Sequence, residues 1–573
     1  MEKGFFHHAL TIREDICTGC SLCMRVCPTG ALRIHDGKAR LIEDRCVDCG
    51  ECFRSCPVHA IIIEQDDFSR IFDYKHRVAL VPAVLHGQFR HEVSMSEISA
   101  VLKSLGFTWV YEVEHGAGIL KPAIEELMNV RTLPRPLISS YCPAVVRLIQ
   151  VRFPALIRNL ATIKAPLEMA AFYCRRVLRD RGAHNAEIGV FYVTPCAAKI
   201  AAVKSPVGEE STPISGVINM DFIYNKINRT LRNKGELPHG NDHAYSVDPD
   251  TLVWSLTNGE ASCVDGRTLA IDGMSNVTEF LEQLENDEIT GVDYLELRAC
   301  DEGCAGGVLL SSNRFLVAER LRNKARNLQY GKNDDNEGEF PDIEAYSEYL
   351  MNKVRITEEI KPRSMYRLSG DRDQAMRMMK RSRRLMCWLP GTDCGLCGAP
   401  SCQALAEDIV RHRGDISQCV FIRESNIEKE LMDPETCRRA ADPYFTSRTT
   451  RKVGMGLPLL QMNAGLSGGE MTIDSAPGRG TTVITTFGYS NIDRPPLGDV
   501  SGTIALLILS NPGINIIYNH LCEGIMWSIS TREIKEELGE DAVTDLTIVR
   551  SLREIINENV AEVRNNESGY DKY

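Results

Sequence analysis

Cys17, Cys20, Cys23 and Cys27, followed by Pro28, form the run CTGCSLCMRVCP. It returns 29 residues later as Cys46, Cys49, Cys52 and Cys56 ahead of Pro57. Three thiolates at CxxCxxC spacing wrap one iron–sulfur cubane, while the fourth, ahead of proline, points away and ligates the partner cluster. By that rule Cys17, Cys20, Cys23 and Cys56 hold one [4Fe–4S] cluster, and Cys46, Cys49, Cys52 and Cys27 hold the other. The duplication extends beyond the ligands, because Ala31 and Leu32 match Ala60 and Ile61. Each half then contributes a strand and a turn to one small core. Two zinc knuckles would leave the third cysteine of each CxxCxxC and both prolines without a role.

Residues 8 to about 66 resemble the bacterial-type two-cluster ferredoxin. That resemblance implies electron relay, with no bond made to a substrate.

A second set of thiols needs a scaffold to bring it together. Apolar runs and helical periodicity predict strands over Arg77 to Leu85, Thr108 to Val113, Leu137 to Ser140, Glu187 to Val193 and Tyr294 to Arg298. Helices are predicted over Ser96 to Leu105, Leu167 to Arg181 and Val277 to Asn286. Alternating strands and helices imply an α/β domain. Cys142 in SSYCP, Cys196 in TPCAAK, and Cys300 and Cys304 in LRACDEGCAGG stand just past the ends of three of these strands. Open α/β sheets bind ligands at the carboxyl ends of their strands, so the four thiols are expected to converge on one cubane. Gly303, Gly306 and Gly307 are expected to let the backbone approach that cofactor. Buried, inert cysteines are the competing reading.

The three loops, with RFPALIRNLATIKAPLEM between the first two, resemble the [FeFe]-hydrogenase large subunit over roughly residues 77 to 325. The resemblance implies that Cys142, Cys196, Cys300 and Cys304 hold the cubane of an active-site cluster, with Cys304 bridging to a diiron subsite. It also implies that Lys199 contacts a cyanide ligand of that subsite, where an ammonium donor suits an anionic acceptor. Three positions depart from the family pattern. Tyr141 replaces a proton-shuttling cysteine, Ala202 replaces a glutamate on the same proton path, and Arg298 replaces a methionine. A phenol with a pKa near 10 is a poorer relay at neutral pH than a thiol near 8.5. Two readings follow: a slow, sensory-type relative with a complete cluster, or a protein holding only a [4Fe–4S] cubane at these cysteines.

Cys394, Cys397, Cys402 and Cys419 suit one further [4Fe–4S] cluster, with zinc as the alternative. This stretch resembles the small iron–sulfur domain shared by carbon monoxide dehydrogenase–associated corrinoid proteins and electron-transport complex subunits. Cys174, Cys263, Cys387, Cys437 and Cys522 remain as ordinary thiols. Residues Asp433 to Phe487, with DPYFTSRTTRKVGMGLPLL and SGGEMTIDSAPGRGTTVITTF, resemble the later half of a histidine-kinase-type (GHKL) ATPase domain. There Gly454, Met455, Gly456 and Leu457 open a helix, and Gly478 and Gly480 fit a hairpin. The magnesium-binding and adenine-binding half is missing, and Asn426 reads as a helix-surface residue, so ATP is not expected.

The whole chain of 573 residues carries 21 cysteines and no secretory signal at its start, which favours metal binding in the cytoplasm over disulfides. With 78 acidic against 66 basic side chains, a net charge of −12 argues against a nucleic-acid ligand. No apolar run reaches the ~20 residues that span a bilayer. The acidic stretch Gly331 to Ile343 is a boundary, and the basic helix predicted from Asp371 to Leu385 reads as a solvated face.

The expected architecture is multidomain, α+β and α/β. It comprises a ferredoxin-like two-cluster domain (1–68), a hydrogenase-like α/β domain (75–328), a linker and basic helix (329–385), a 4Fe–4S module (386–425), a partial ATPase segment (430–490) and a C-terminal extension (491–573). The expected cofactors are three or four [4Fe–4S] clusters, with the implied diiron subsite at Cys304. The expected function is electron passage between the ferredoxin clusters and a hydrogenase-like centre, sensory or slow. The alternatives are an active iron hydrogenase, an oxidoreductase with an impaired proton relay, or an electron-transfer or cluster-carrier protein. A redox partner protein and a signalling kinase or ATPase are the expected partners.

Overall fold

A computed structural model describes residues 6–90, 93–233, 247–330, 340–365, 368–422, 456–476, 480–488, 490–491, 498–522 and 525–565. Two compact units divide the chain. One comprises Met1–Cys17, Leu22–Ala31 and Leu41–Arg367, the other Thr18–Ser21, Leu32–Arg40 and Leu368–Tyr573.

Two parallel sheets form the centre of the first unit. Strands Trp109–Glu112, His76–Val81, Ile188–Thr194 and Gly216–Asn219 make the larger one, in that spatial order. Thr268–Asp272, Tyr294–Arg298 and Leu137–Ile138 make the smaller. Parallel strands covered on both faces read as continuous apolar runs, and all seven residues of Ile188–Thr194 are buried. Helices Met95–Ser104 and Pro166–Asp180 lie within a residue of their expected bounds. Ser94 caps the first through a reciprocal bond with Glu97, and Pro166 pre-sets the first turn of the second.

The strand expected from Arg77 to Leu85 ends at Val81. Pro82 has no N–H to continue the ladder and instead precedes a short helix, Ala83–Gly87. Gly216–Asn219 and Thr268–Asp272 are strands that pattern reading missed.

The two cysteine runs fold alike. Each places its third cysteine on a single-turn helix, Leu22–Arg25 or Glu51–Arg54. The flanking strands Leu10–Ile12 and Ile61–Ile63 pair antiparallel. Between Cys46 and Cys49, Asp48 sits in left-handed backbone geometry with φ +54°, tolerable for an aspartate whose side chain is tied down. It accepts hydrogen bonds from Ala9 N (3.0 Å) and Arg147 Nη1 (2.7 Å), and its other contact is His8 Nδ1 (2.9 Å). Arg147 belongs to helix Pro143–Arg152, and its guanidinium stacks on Phe6 at 3.7 Å.

In the second unit the basic helix runs Arg372–Met386 and packs against helix Cys402–Val410. The early stretch Leu32–Arg40 belongs here. Ile34 N donates to Gly398 O at 2.8 Å, and Arg33 forms a buried ion pair with Asp408. Further on, helix Gly456–Leu466 precedes the antiparallel strands Met471–Ala476 and Gly480–Thr485. The final part packs helix Val500–Ser510 on helix Leu546–Asn565, with strands Ile517–Cys522 and Ile525–Ser530 paired antiparallel. Asn426, Gly454, Met455 and Gly478 lie outside the described residues. Among the described residues, no helix is long and apolar enough to cross a membrane.

Breaking one half of a buried ion pair strands the other charge and costs about 3–5 kcal/mol. Arg147→Met is therefore expected to lower the urea midpoint at which iron–sulfur absorbance is lost. An unchanged midpoint would show that the Asp48 contact contributes nothing.

Candidate metal centres

The second ferredoxin-type run brings its expected ligands together. Cys46, Cys49 and Cys52 each lie within electrostatic reach of Cys27. Burial pushes the three thiols well above the ordinary thiol range, with the neighbouring cysteines adding to it, so ionisation requires a cation to compensate. Ala31 N donates to Cys27 Sγ at 3.2 Å, and Ala60 N donates to Cys56 Sγ at 3.3 Å. The duplicated alanines thus supply the same N–H to the proline-linked sulfur in each half. Cys17, Cys23 and Cys56 belong to the first unit and Cys20 to the second, where it is exposed.

Cys142, Cys196, Cys300 and Cys304 converge from three loops. Burial raises Cys300 well above the ordinary thiol range, and the charges of Cys196, Cys142 and Cys304 add to it. Burial likewise lifts Cys196 to about 12 against the opposing effect of Lys199. Cys142 caps helix Pro143–Arg152, and Cys196 caps helix Ala197–Lys204. Helix N-termini favour negative charge, so two of the four thiolates are set where the backbone supports them. Four converging thiols are the donor set of a cubane, and these residues fit one.

The three glycines also sit close to the chain's own backbone. A Cβ on Gly303 would lie 2.5 Å from Ser255 O, one on Gly306 2.1 Å from Asp301 O, and one on Gly307 2.5 Å from Pro195 O. Among the chain's own atoms, the close approach they permit is to backbone, which closes the loop around Cys300 and Cys304.

On the far side of Cys304 the departures from the hydrogenase pattern meet. Tyr141 Oη lies 3.6 Å from Cys304 Sγ, while Lys199 Nζ is 3.4 Å from that sulfur and 3.3 Å from the phenol. The Arg298 guanidinium stacks 3.9 Å over the Tyr141 ring. Burial and then the Cys304 charge hold the phenol well above its ordinary pKa. Burial alone would lower Lys199, but Cys304, Tyr141 and Tyr192 outweigh it and hold the ammonium protonated. Beyond them a cavity of about 100 Å³ is lined by Tyr141, Lys199, Ala202, Leu167, Val203 and Ile356. Phenol and ammonium thus flank the Cys304 sulfur and also line that space.

Two carboxylates missed by sequence reading hold Arg298 in place. Its Nε donates to Glu296 Oε1 and its Nη2 to Glu260 Oε2, both at 3.0 Å. Glu260 also accepts from Ser139 Oγ and Tyr294 Oη, each at 2.7 Å. Ser139 Oγ in turn accepts from Tyr141 N at 3.2 Å. The available signal was YLELR itself: a glutamate and an arginine on a strand buried along its length require each other.

In the second unit Cys394, Cys402 and Cys419 all lie within electrostatic reach of Cys397, which burial raises to about 11. Asp393 Oδ1 accepts from Cys402 N at 2.6 Å, and Ser401 caps the helix that Cys402 opens.

Three stretches of the chain match known protein families. Residues 75–235 match the family described as iron only hydrogenase large subunit, C-terminal domain. Residues 16–60 match a 4Fe–4S dicluster domain, and 389–421 a putative Fe–S cluster family. NADP-reducing hydrogenase subunit HndD of Solidesulfovibrio fructosivorans is 23% identical over 200 residues, 33% of this chain and 31% of its own. Iron hydrogenase 1 of Clostridium pasteurianum is 23% identical over 238 residues, 40% of this chain and 39% of its own. The chain thus spans well under half the length of these curated relatives. Two structures of [FeFe]-hydrogenase HydA1 from Chlamydomonas reinhardtii are 17% identical over 52% of this chain, covering 93% and 95% of theirs, with TM-scores of 0.35 and 0.36. The chain is thus similar to iron-only hydrogenase large subunits over residues 75–235 and to iron–sulfur cluster families over residues 16–60 and 389–421.

Replacing Arg298 by methionine removes the stacking cation and leaves Glu260 and Glu296 buried without it. Arg298→Met is expected to destabilise the first unit by about 3–5 kcal/mol, measured by chemical unfolding. A variant as stable as the parent would show that the two acids do not depend on the guanidinium.

Proposed function

We propose that this protein passes electrons between ferredoxin-type clusters and a cubane held by Cys142, Cys196, Cys300 and Cys304, and senses redox state rather than turning over hydrogen. Cubanes exchange single electrons without bonding a substrate. The observation that carries the reading is shared packing: Val47 and Cys49 of the second ferredoxin-type run lie in the same apolar core as Cys142 and Cys196. Arg54, from that run, also donates to Gly306 O at 2.5 Å. The electron-side residues are thus held in one rigid body of side chains.

The proton-side residues oppose fast catalysis. Tyr141 keeps its proton near neutral pH, and Ala202 offers no acid where a general acid–base group would contribute about 10²–10⁴-fold. Lys199 offsets the charge of Cys304 and so favours a reduced, more negative centre. The third module, with Cys394, Cys397, Cys402 and Cys419, adds a further electron site. The kinase-type reading of the tail is supported by the order of helix Gly456–Leu466 and the strand pair after it. On that reading a signalling kinase or ATPase partner receives the output, and a redox protein supplies the electrons. The competing reading, an active iron hydrogenase, is favoured by the Lys199 contact with Cys304.

Incubation with a synthetic diiron cofactor, followed by infrared spectroscopy, separates the two. The expected result is no carbon monoxide or cyanide stretching bands, with about sixteen irons per chain from four cubanes. Bands accompanied by hydrogen uptake would overturn the reading. Tyr141→Cys clears the phenol from Cys304 and restores a thiol, so this variant is expected to gain the bands that the parent lacks.

A further inference from the structure

The strand Trp109–Glu112 and the turn after it carry two acids, Glu112 and Glu114, to the end of the larger sheet where Cys196 also lies. They are 5% and 3% exposed, and among the described residues neither forms an ion pair. Glu114 Oε1 accepts from Ala83 N at 2.8 Å, whereas Glu114 Oε2, Glu112 Oε1 and the nearby Tyr192 hydroxyl have no hydrogen-bond partner among the described residues. A buried carboxylate oxygen without a donor disfavours the charged form. Burial accordingly raises both acids, Glu114 to about 8, with the Ala83 amide and Lys199 opposing and Glu112 adding.

The charged and titratable groups around the pair are few. Tyr192 comes from the strand Ile188–Thr194 and Lys199 from the helix after Cys196. His86 and Lys324, 3.4 Å apart, come from helices Ala83–Gly87 and Arg314–Tyr330, and Lys324 acts on Glu112. His115, next in the chain, is driven down to about 4 by burial and stays neutral. Lys199 is the shared element, because it both contacts Cys304 and offsets the charge of Glu114. The electron route uses none of the other four groups.

We infer that Glu114, paired with Glu112, is a redox-linked proton site, taking up one proton from solvent when the centre held by Cys142, Cys196, Cys300 and Cys304 gains one electron. The added electron comes from the ferredoxin-type clusters or an external reductant, the proton bonds to Glu114 Oε2, and no other bond breaks. Negative charge gained near Cys304 engages Lys199 more strongly, leaves Glu114 less compensated and raises its affinity for a proton. Reciprocity requires that protonation favour reduction by the same free energy. The inference deepens the electron-transfer reading and rests on those four cysteines holding a cluster.

The test uses the full chain reconstituted with iron and sulfide. Redox titrations followed by electron paramagnetic resonance are run at several pH values, and the central signal is assigned as the one lost in Cys300→Ser. Glu114 is ionised in the oxidised protein only above about pH 8, so in that range the expected potential falls with rising pH, by up to about 59 mV for each tenfold change in proton concentration in a one-electron couple. Glu114→Gln keeps the acceptor for Ala83 N and is expected to flatten that slope at unchanged iron content. Reduced-minus-oxidised infrared spectra should gain a protonated carboxyl band in the parent and lack it in Glu114→Gln. Should Glu114→Gln fail to load iron, the parent's slope and carboxyl band together decide. A potential independent of pH above about 8, or an equal slope there in the variant, overturns the proton site. Absence of any signal that depends on Cys300 overturns the cluster reading itself, and the proton site with it.

Discussion

Asp48 and Arg147 are both fully buried and lie 2.7 Å apart, and what the first unit can do depends on that contact. Asp48 stands inside a cluster-binding loop, two residues after Cys46 and one before Cys49. Arg147 stands one turn into the helix whose N-cap is Cys142. A buried charge pair tolerates little displacement, because moving either partner exposes the other to an uncompensated low-dielectric environment. The pair therefore fixes the spacing of two sets of sulfur ligands, with Phe6 closing one face of the guanidinium.

Around Cys304, two departures from the hydrogenase pattern make sense only together. Tyrosine at 141 adds a ring where the pattern has a small thiol, and arginine at 298 adds a cation where it has a neutral thioether. The cation lies on the ring, and Glu260 and Glu296 neutralise it. Such a set behaves as a unit: changing one member leaves buried polar groups without partners. Ring, guanidinium and two carboxylates thus form one buried polar cluster beside Cys304.

Much of this was legible in the sequence where chemistry fixes spacing. The cysteine runs were read from CxxCxxC and proline, and the matched Ala31 and Ala60 prove to donate matched hydrogen bonds to sulfur. Long apolar segments such as Ile188–Thr194 and Pro166–Asp180 announced themselves through burial on both faces or through helical periodicity. Gly216–Asn219 did not, because its four residues open on glycine and close on asparagine, both depleted in strands. Nor did the Glu260–Arg298 contact, which joins residues 38 apart through tertiary packing alone. For Gly303, Gly306 and Gly307 the sequence shows that room is needed but not that Ser255, Asp301 and Pro195 are the backbone neighbours that need it.

The buried Arg33–Asp408 pair joins residues 375 apart in the chain. At about 5–20 residues per second, the ribosome delivers the aspartate roughly 20–75 s after the arginine. During that interval the segment between the two ferredoxin-type cysteine runs has an unanswered cation that cannot yet be buried. Completion of the earliest-made part of the molecule is therefore timed by the arrival of a much later part. Synthesis itself thus orders when this contact of the second unit can form.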